Sequence, residues 1–203
     1  MKRFLVIIVV ALITSMSVSA QEGYSDTKHE VAVSFGTWSN SQWIDLYESI
    51  INIWVTLGSV SEHNEKLTGP ISAEYFYHAK EWLGVGGIFV YGKSTSDTYL
   101  EHDNTKIGKS TNSYYTLMPA VKFDWLRKKN FGMYSKLAIG ATLRSQKSES
   151  TDPAFKDETD SNIHVNWQLS ALGIEGGLPK VRAFAELGFG EQGVILAGLR
   201  YKF

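Results

Sequence analysis

The stretch Ile195-Leu196-Ala197-Gly198-Leu199-Arg200-Tyr201-Lys202-Phe203 decides the fold. Stepping back two residues at a time from Phe203 meets Tyr201, Leu199, Ala197 and Ile195, an apolar face that ends in an aromatic ring. Lys202, Arg200 and Gly198 alternate with them, so the other face is polar or small. A period of two is the signature of a strand, whose successive side chains point to opposite sides.

The opposite end of the chain gives this strand a setting. Lys2 and Arg3 precede the apolar run Phe4 to Ile13, and small or polar residues follow from Thr14 to Ala20. Val18 and Ala20 stand three and one residues before Gln21, as in a secretory signal peptide cleaved there, and the apolar core is too short to span a bilayer. Residues 1–20 are therefore expected to be removed, leaving a single domain, residues 21–203. The chain holds 20 Lys+Arg against 21 Asp+Glu, and loss of Lys2 and Arg3 leaves 18 basic residues and a net charge near −3. A weakly acidic balance argues against nucleic acid as a partner. Cysteine is absent, so neither a disulfide framework nor a thiolate metal site is expected. No segment of the expected mature chain has about 18 uninterrupted apolar residues, which excludes a spanning helix.

Eight period-two segments recur between turn signals. Their apolar faces are Val31-Val33-Phe35; Ile71-Ala73-Tyr75-Tyr77; Leu83-Val85-Phe89-Tyr91, blurred by Ile88 and Val90; Tyr115-Leu117-Val121-Phe123-Trp125; Met133-Leu137-Ile139-Ala141-Leu143; Val165-Trp167-Leu169-Ala171; Val181-Ala183-Ala185-Leu187-Phe189; and the terminal strand. Connections alternate between tight (78–82, 126–130, 176–180) and long and polar (38–66, 93–110, 145–160). Aromatic residues gather at the strand ends. Tyr77, Trp82, Phe123, Trp125, Phe131, Tyr201 and Phe203 lie at strand ends beside the tight turns or the C-terminal end, while Trp38, Tyr91, Tyr115, Trp167 and Phe189 lie at the ends beside loops. Two aromatic girdles, with short turns at one rim and long loops at the other, describe a transmembrane barrel. Closure satisfies every backbone N–H and C=O, which hydrocarbon demands. The fold expected is an all-β, eight-stranded, antiparallel up-and-down barrel in the outer membrane, its termini together at the periplasmic side. Pro119, on the lipid face of the fourth strand, predicts a bulge or other irregularity there.

With its tail Gly198 to Phe203, its stretch Tyr115 to Trp125 and its hairpin Ile71 to Tyr91, the chain resembles the small OmpA/OmpX-like outer-membrane barrels. The resemblance implies that Leu199, Tyr201 and Phe203 are read by the barrel-assembly machinery. It specifies no function, because the scaffold hosts many.

The inward register carries Glu74, His78, Lys122, Asp124, Lys136, Asn166, Gln168, Arg182, Glu186 and Arg200. Eight strands enclose just enough room for side chains to fill, so these groups are expected to pair and plug the bore. The first long connection is unusual. Residues Trp43 to Leu57 read as a helix with Asp45, Glu48, Ser49, Asn52 and Thr56 on one sector, Ser39, Asn40 or Ser41 as cap and Gly58 as stop. The rest of its circumference is apolar, with Trp43, Tyr47, Ile50 and Trp54 as the expected contact face. It can bury that face in the outer-leaflet lipid or lipopolysaccharide, in the barrel mouth, or against an extracellular protein or apolar ligand. His78 and His164 take the inward register and His29 lies near the periplasmic end, so no outward Ser–His pair emerges for lipid hydrolysis or acyl transfer. No cofactor and no metal site are expected. The reading is a non-enzymatic envelope protein with a structural or surface-interaction role. The alternatives are a small channel or carrier for an apolar ligand gated by the first-loop helix and, more weakly, a lipid-modifying enzyme.

Overall fold

The computed structural model describes residues 27–41, 60–100, 105–150 and 158–203. Eight strands follow in chain order: β1 (His29–Thr37), β2 (Val60–Lys80), β3 (Leu83–Leu100), β4 (Thr105–Arg127), β5 (Phe131–Ser150), β6 (Glu158–Gly177), β7 (Val181–Gly190) and β8 (Ile195–Lys202). Each pairs antiparallel with its chain neighbours, and β1 pairs with β8 from Glu30↔Lys202 to Thr37↔Ile195, closing the barrel. At the seam's lowest rung His29 and Phe203 exchange backbone hydrogen bonds of 3.0 and 2.9 Å, and their rings stack at 5.5 Å. The expected signal peptide and the Trp43–Leu57 helix lie outside the described residues; Asn40 and Ser41 open a helical turn at their edge.

The alternation resolves into an apolar exterior and a largely polar interior. Leu117, Ile139, Val165 and Leu199 are each more than half exposed, whereas Lys122, Lys136, Gln168 and Arg200 are buried. A water-soluble sandwich would reverse this arrangement. The interior also holds an apolar cluster among the described residues. Phe76, Ile88, Val90, Met118, Ala120 and Ala138 cluster inward across β2 to β5, which is why Ile88 and Val90 blurred the pattern of the third segment.

Two features differ from the sequence reading. The described residues of the long connections are mostly strand: β2 to β6 run 18 to 23 residues, whereas β1, β7 and β8 run 8 to 10. At about 3.3 Å per residue the longer strands outreach an apolar band ~25 Å tall and continue as paired ribbons past the outer rim. Their polar, Ser/Thr-rich sequences carry no apolar alternation to reveal them. Pro119 does face lipid, but the β4–β5 register is unchanged across it; only the rungs at Met118 and Pro119 are missing. The extra residues lie elsewhere. Among them are one in β4 between Asp124 and Leu126, three in β2 along its pairing with β3, and one in β6 between Ser170 and Leu172, the last felt by both β5 and β7.

Candidate functional site

The bore is filled in tiers, and strand register positions each of them. Nearest the periplasm, Glu175 accepts from Arg182 and Arg200 at 2.5 Å each and from Lys202. Beside it Glu30 accepts from Lys122 at 2.7 Å and faces Arg200 at 3.5 Å. His78 stands between two carboxylates, Nε2 3.2 Å from Glu30 and Nδ1 3.3 Å from Asp124. In the middle tier Lys136 reaches Glu74 at 2.5 Å and Glu186 at 2.9 Å, and Ser170 donates to Glu186 at 2.5 Å.

Tyr134 joins these tiers. Its hydroxyl donates to Glu186 at 2.8 Å, and its ring lies 4.2 Å from the Lys122 ammonium and 4.6 Å from the Arg200 guanidinium. Among the described residues, the acids Glu30, Glu74, Asp124, Glu175 and Glu186 thus meet the cations Lys122, Lys136, Arg182, Arg200 and Lys202, each within ion-pair distance of a partner. Charges taken from water and matched in this way hold one another, because loss of any one strands its partner.

The outer tier is built differently. The β7–β8 turn tucks into the barrel instead of rising from it, with Gly190 at φ 138° and Gly193 at φ 109°, angles that side chains rarely tolerate. The tuck carries Gln192 down to Ser72 (2.9 Å) and Glu74 (2.7 Å), and Gln168 binds the turn backbone at the Gln192 amide and the Gly193 carbonyl. Glu191 also points inward. Its carboxylate accepts from Ser41 Oγ (2.6 Å), Ser41 N (3.1 Å), Asn166 Nδ2 (2.7 Å) and Thr116 Oγ1 (3.4 Å). Asn40 donates to Asn166 at 2.9 Å. Trp38 makes this possible: its left-handed backbone (φ 59°) turns the chain over the mouth while its ring stays exposed at the outer girdle. In this connecting turn, burial pushes the Glu191 carboxyl above the usual carboxylate range, against the pull of its hydrogen-bond donors.

All ten interior residues named from the sequence, Glu74, His78, Lys122, Asp124, Lys136, Asn166, Gln168, Arg182, Glu186 and Arg200, point inward and are buried. Eight belong to the ionic tiers; Asn166 and Gln168 sit apart with the tucked turn. Leu199, Tyr201 and Phe203 face outward at the periplasmic end. Trp43, Tyr47, Ile50 and Trp54 lie outside the described residues. Sequence reasoning missed Glu30, Glu175 and the two turn residues Glu191 and Gln192; it placed Lys202 on the polar face without joining it to the network, and it did not single out Tyr134. For Glu175 the β6 bulge is the cause, because it flips the phase after Ala171. A lone carboxylate at a would-be lipid position was the available signal.

A closed eight-stranded barrel that turns its apolar side chains outward and pairs its charges within is an integral membrane protein of the outer-membrane type. No family model matches the sequence, and no curated protein matches it. Among solved structures the chain is similar to Ail, the attachment invasion locus protein of Yersinia pestis, at 14% identity and a TM-score of 0.49 over 88% of this chain and 100% of that one. It is likewise similar to Ail in complex with the heparin analogue sucrose octasulfate, at 13% identity and a TM-score of 0.46 over 87% and 99% of the two chains.

Proposed function

We propose that this protein is a non-enzymatic outer-membrane barrel with a sealed bore, which presents its outer connections to partners outside the cell. The observation that carries the reading is the filled interior. Paired charges occupy the periplasmic and middle tiers, and the tucked β7–β8 turn occupies the mouth. An open pore of this width would need an unobstructed path, and mixed charges bonded to one another do not supply one. The ribbons of β2 to β6 beyond the rim and the first connection, rooted in the mouth through Ser41, supply the outward surface. Assembly through Leu199, Tyr201 and Phe203 belongs to the same proposal.

Reconstitution of the mature chain into planar bilayers tests it. No stable conductance is expected, and discrete, salt-dependent channels would overturn the sealed-bore reading. Incubation with lipid A followed by mass analysis is expected to show no gain or loss of acyl chains.

The carrier reading keeps one specific support, since the root of the first connection sits in the barrel mouth. Deletion of residues 43–57 separates the two readings. A sealed barrel stays non-conducting without them, whereas a gate removed leaves an open mouth.

A further inference from the structure

Every connection at the periplasmic rim carries an exposed lysine. Lys28 precedes β1, Lys80 ends β2, Lys128 and Lys129 join β4 to β5, and Lys180 joins β6 to β7. The bore does not neutralise them, because its acids are already matched by its own cations. On this rim they meet Glu81; Glu22 and Asp26 precede it in the chain, outside the described residues. Of the three long outer connections two have the opposite balance and the third, residues 93–110, is even, with Lys93, Lys106 and Lys109 against Asp97, Glu101 and Asp103. Residues 38–70 hold Asp45, Glu48, Glu62 and Glu65 against Lys66, and residues 144–162 hold Glu149, Asp152, Asp157, Glu158 and Asp160 against Arg144, Lys147 and Lys156.

The lysines sit on backbone that is held in place. Arg182 reaches out of the bore to the carbonyls of Lys128 (2.7 Å) and Lys129 (2.9 Å). Arg127 does the same for Glu81 (3.2 Å) and Thr27 (2.8 Å), beside Lys80 and Lys28. The Lys28 carbonyl accepts from the His78 amide at 2.7 Å, and that of Lys180 from the Lys202 amide at 2.8 Å. At the same level Trp82, Phe131, Leu178 and Tyr201 face lipid, and the Lys80 ammonium stands 5.6 Å from the Trp82 ring. These neighbours place the ammonium groups at the hydrocarbon boundary, where glycerophosphate groups lie.

We propose that this rim is a preorganised collar for the phosphate groups of anionic glycerophospholipids in the periplasm-facing leaflet. Fixed cations beside an apolar girdle match a lipid that offers both an acyl chain and a negative head. A soluble polyanion would use only half of that arrangement. The outer connections, two of them acidic and one balanced, carry no such ring of cations at the opposite rim.

The test uses the mature chain, residues 21–203, folded in phosphatidylcholine vesicles, with spin-labelled phosphatidylglycerol or spin-labelled phosphatidylcholine as probe. Phosphatidylglycerol is expected to be favoured at the protein surface by about threefold, and the preference is expected to fade in about 0.5 M salt. Replacing Lys28, Lys80, Lys128, Lys129 and Lys180 together by glutamine should bring the preference to unity, with folding checked by heat-modifiable gel migration. Should that variant not fold, Lys128→Gln/Lys129→Gln and Lys80→Gln/Lys180→Gln should each lower the preference part of the way. Lys93→Gln/Lys109→Gln, near the outer rim, should leave it unchanged. A wild type without preference, or an outer-rim variant that loses as much as the collar variants, would overturn the proposal.

Discussion

Ser41 gives both its amide and its hydroxyl to one carboxylate, that of Glu191, at 3.1 and 2.6 Å. Through this pair the root of the first long connection is fastened to the tucked β7–β8 turn, across 150 residues of chain. Replacing Glu191 by alanine removes the acceptor for Ser41, Asn166 and Thr116 together and leaves their donors buried. The barrel is expected to remain folded, because no strand pairing depends on the carboxylate. Cleavage by added protease within residues 42–59 should become at least about tenfold faster, the factor that 1.4 kcal/mol of lost restraint provides. Unchanged cleavage would mean that the clasp does not govern this connection.

The same carboxylate makes stability depend on pH. Burial is the largest influence on Glu191 and raises its pKa. The folded chain therefore keeps a proton that the unfolded chain has already released. Stability from this group is fully present below the ordinary glutamate value, about 4.3, and is lost as pH rises through the raised value. In urea titrations the wild type should lose stability relative to Glu191→Gln over that window. A constant difference between the two proteins would contradict the assignment.

Tyr134 and Gly173 make a steric pair. A Cβ placed on Gly173 would fall 2.4 Å from the Tyr134 ring, and the ring cannot yield easily with Lys122 and Arg200 against it. Gly173→Ala should therefore cost about 1–3 kcal/mol by urea unfolding in vesicles, the usual penalty of overpacking. Tyr134→Phe keeps the ring and should not rescue it. In a Tyr134→Ala background the added methyl should cost little, and equal costs in both backgrounds would refute the steric account.

Lipid-facing positions were the most legible part of the sequence, because hydrocarbon demands apolar side chains at every second residue and nothing in the bore can override that. Ile139 lies midway along the membrane-spanning part of β5 and is 62% exposed. Ile139→Arg should cost about 2–4 kcal/mol of folding stability in bilayers, against near zero for Ile139→Leu. The inward phase was legible only where it ran unbroken. Glu74, Lys136 and Arg200 follow the simple period and were found, whereas Glu175 lies beyond a bulge that no local residue preference announces. Glu191 and Gln192 were hidden for another reason. A short polar turn reads as solvent-exposed, and only the φ angles of Gly190 and Gly193 show that it folds inward. The outer ribbons escaped because their polar, Ser/Thr-rich sequences have no apolar alternation to read.

Lys136 offers the sharpest test of the paired interior. It is fully buried between Glu74 and Glu186, so Lys136→Met leaves two carboxylates short of a cation. Breaking a buried pair in this way costs about 3–5 kcal/mol, much of it the penalty of the stranded charge rather than the worth of the pair. Removing one acid as well should therefore restore stability. Lys136→Met/Glu186→Gln keeps the bore balanced, and Glu74 retains Arg200 at 3.6 Å and Gln192 at 2.7 Å. The double variant is expected to recover more than half of the loss in urea unfolding, a strongly non-additive result. If the two substitutions simply add, the charges are not matched within one network, and the sealed-bore reading loses its energetic basis.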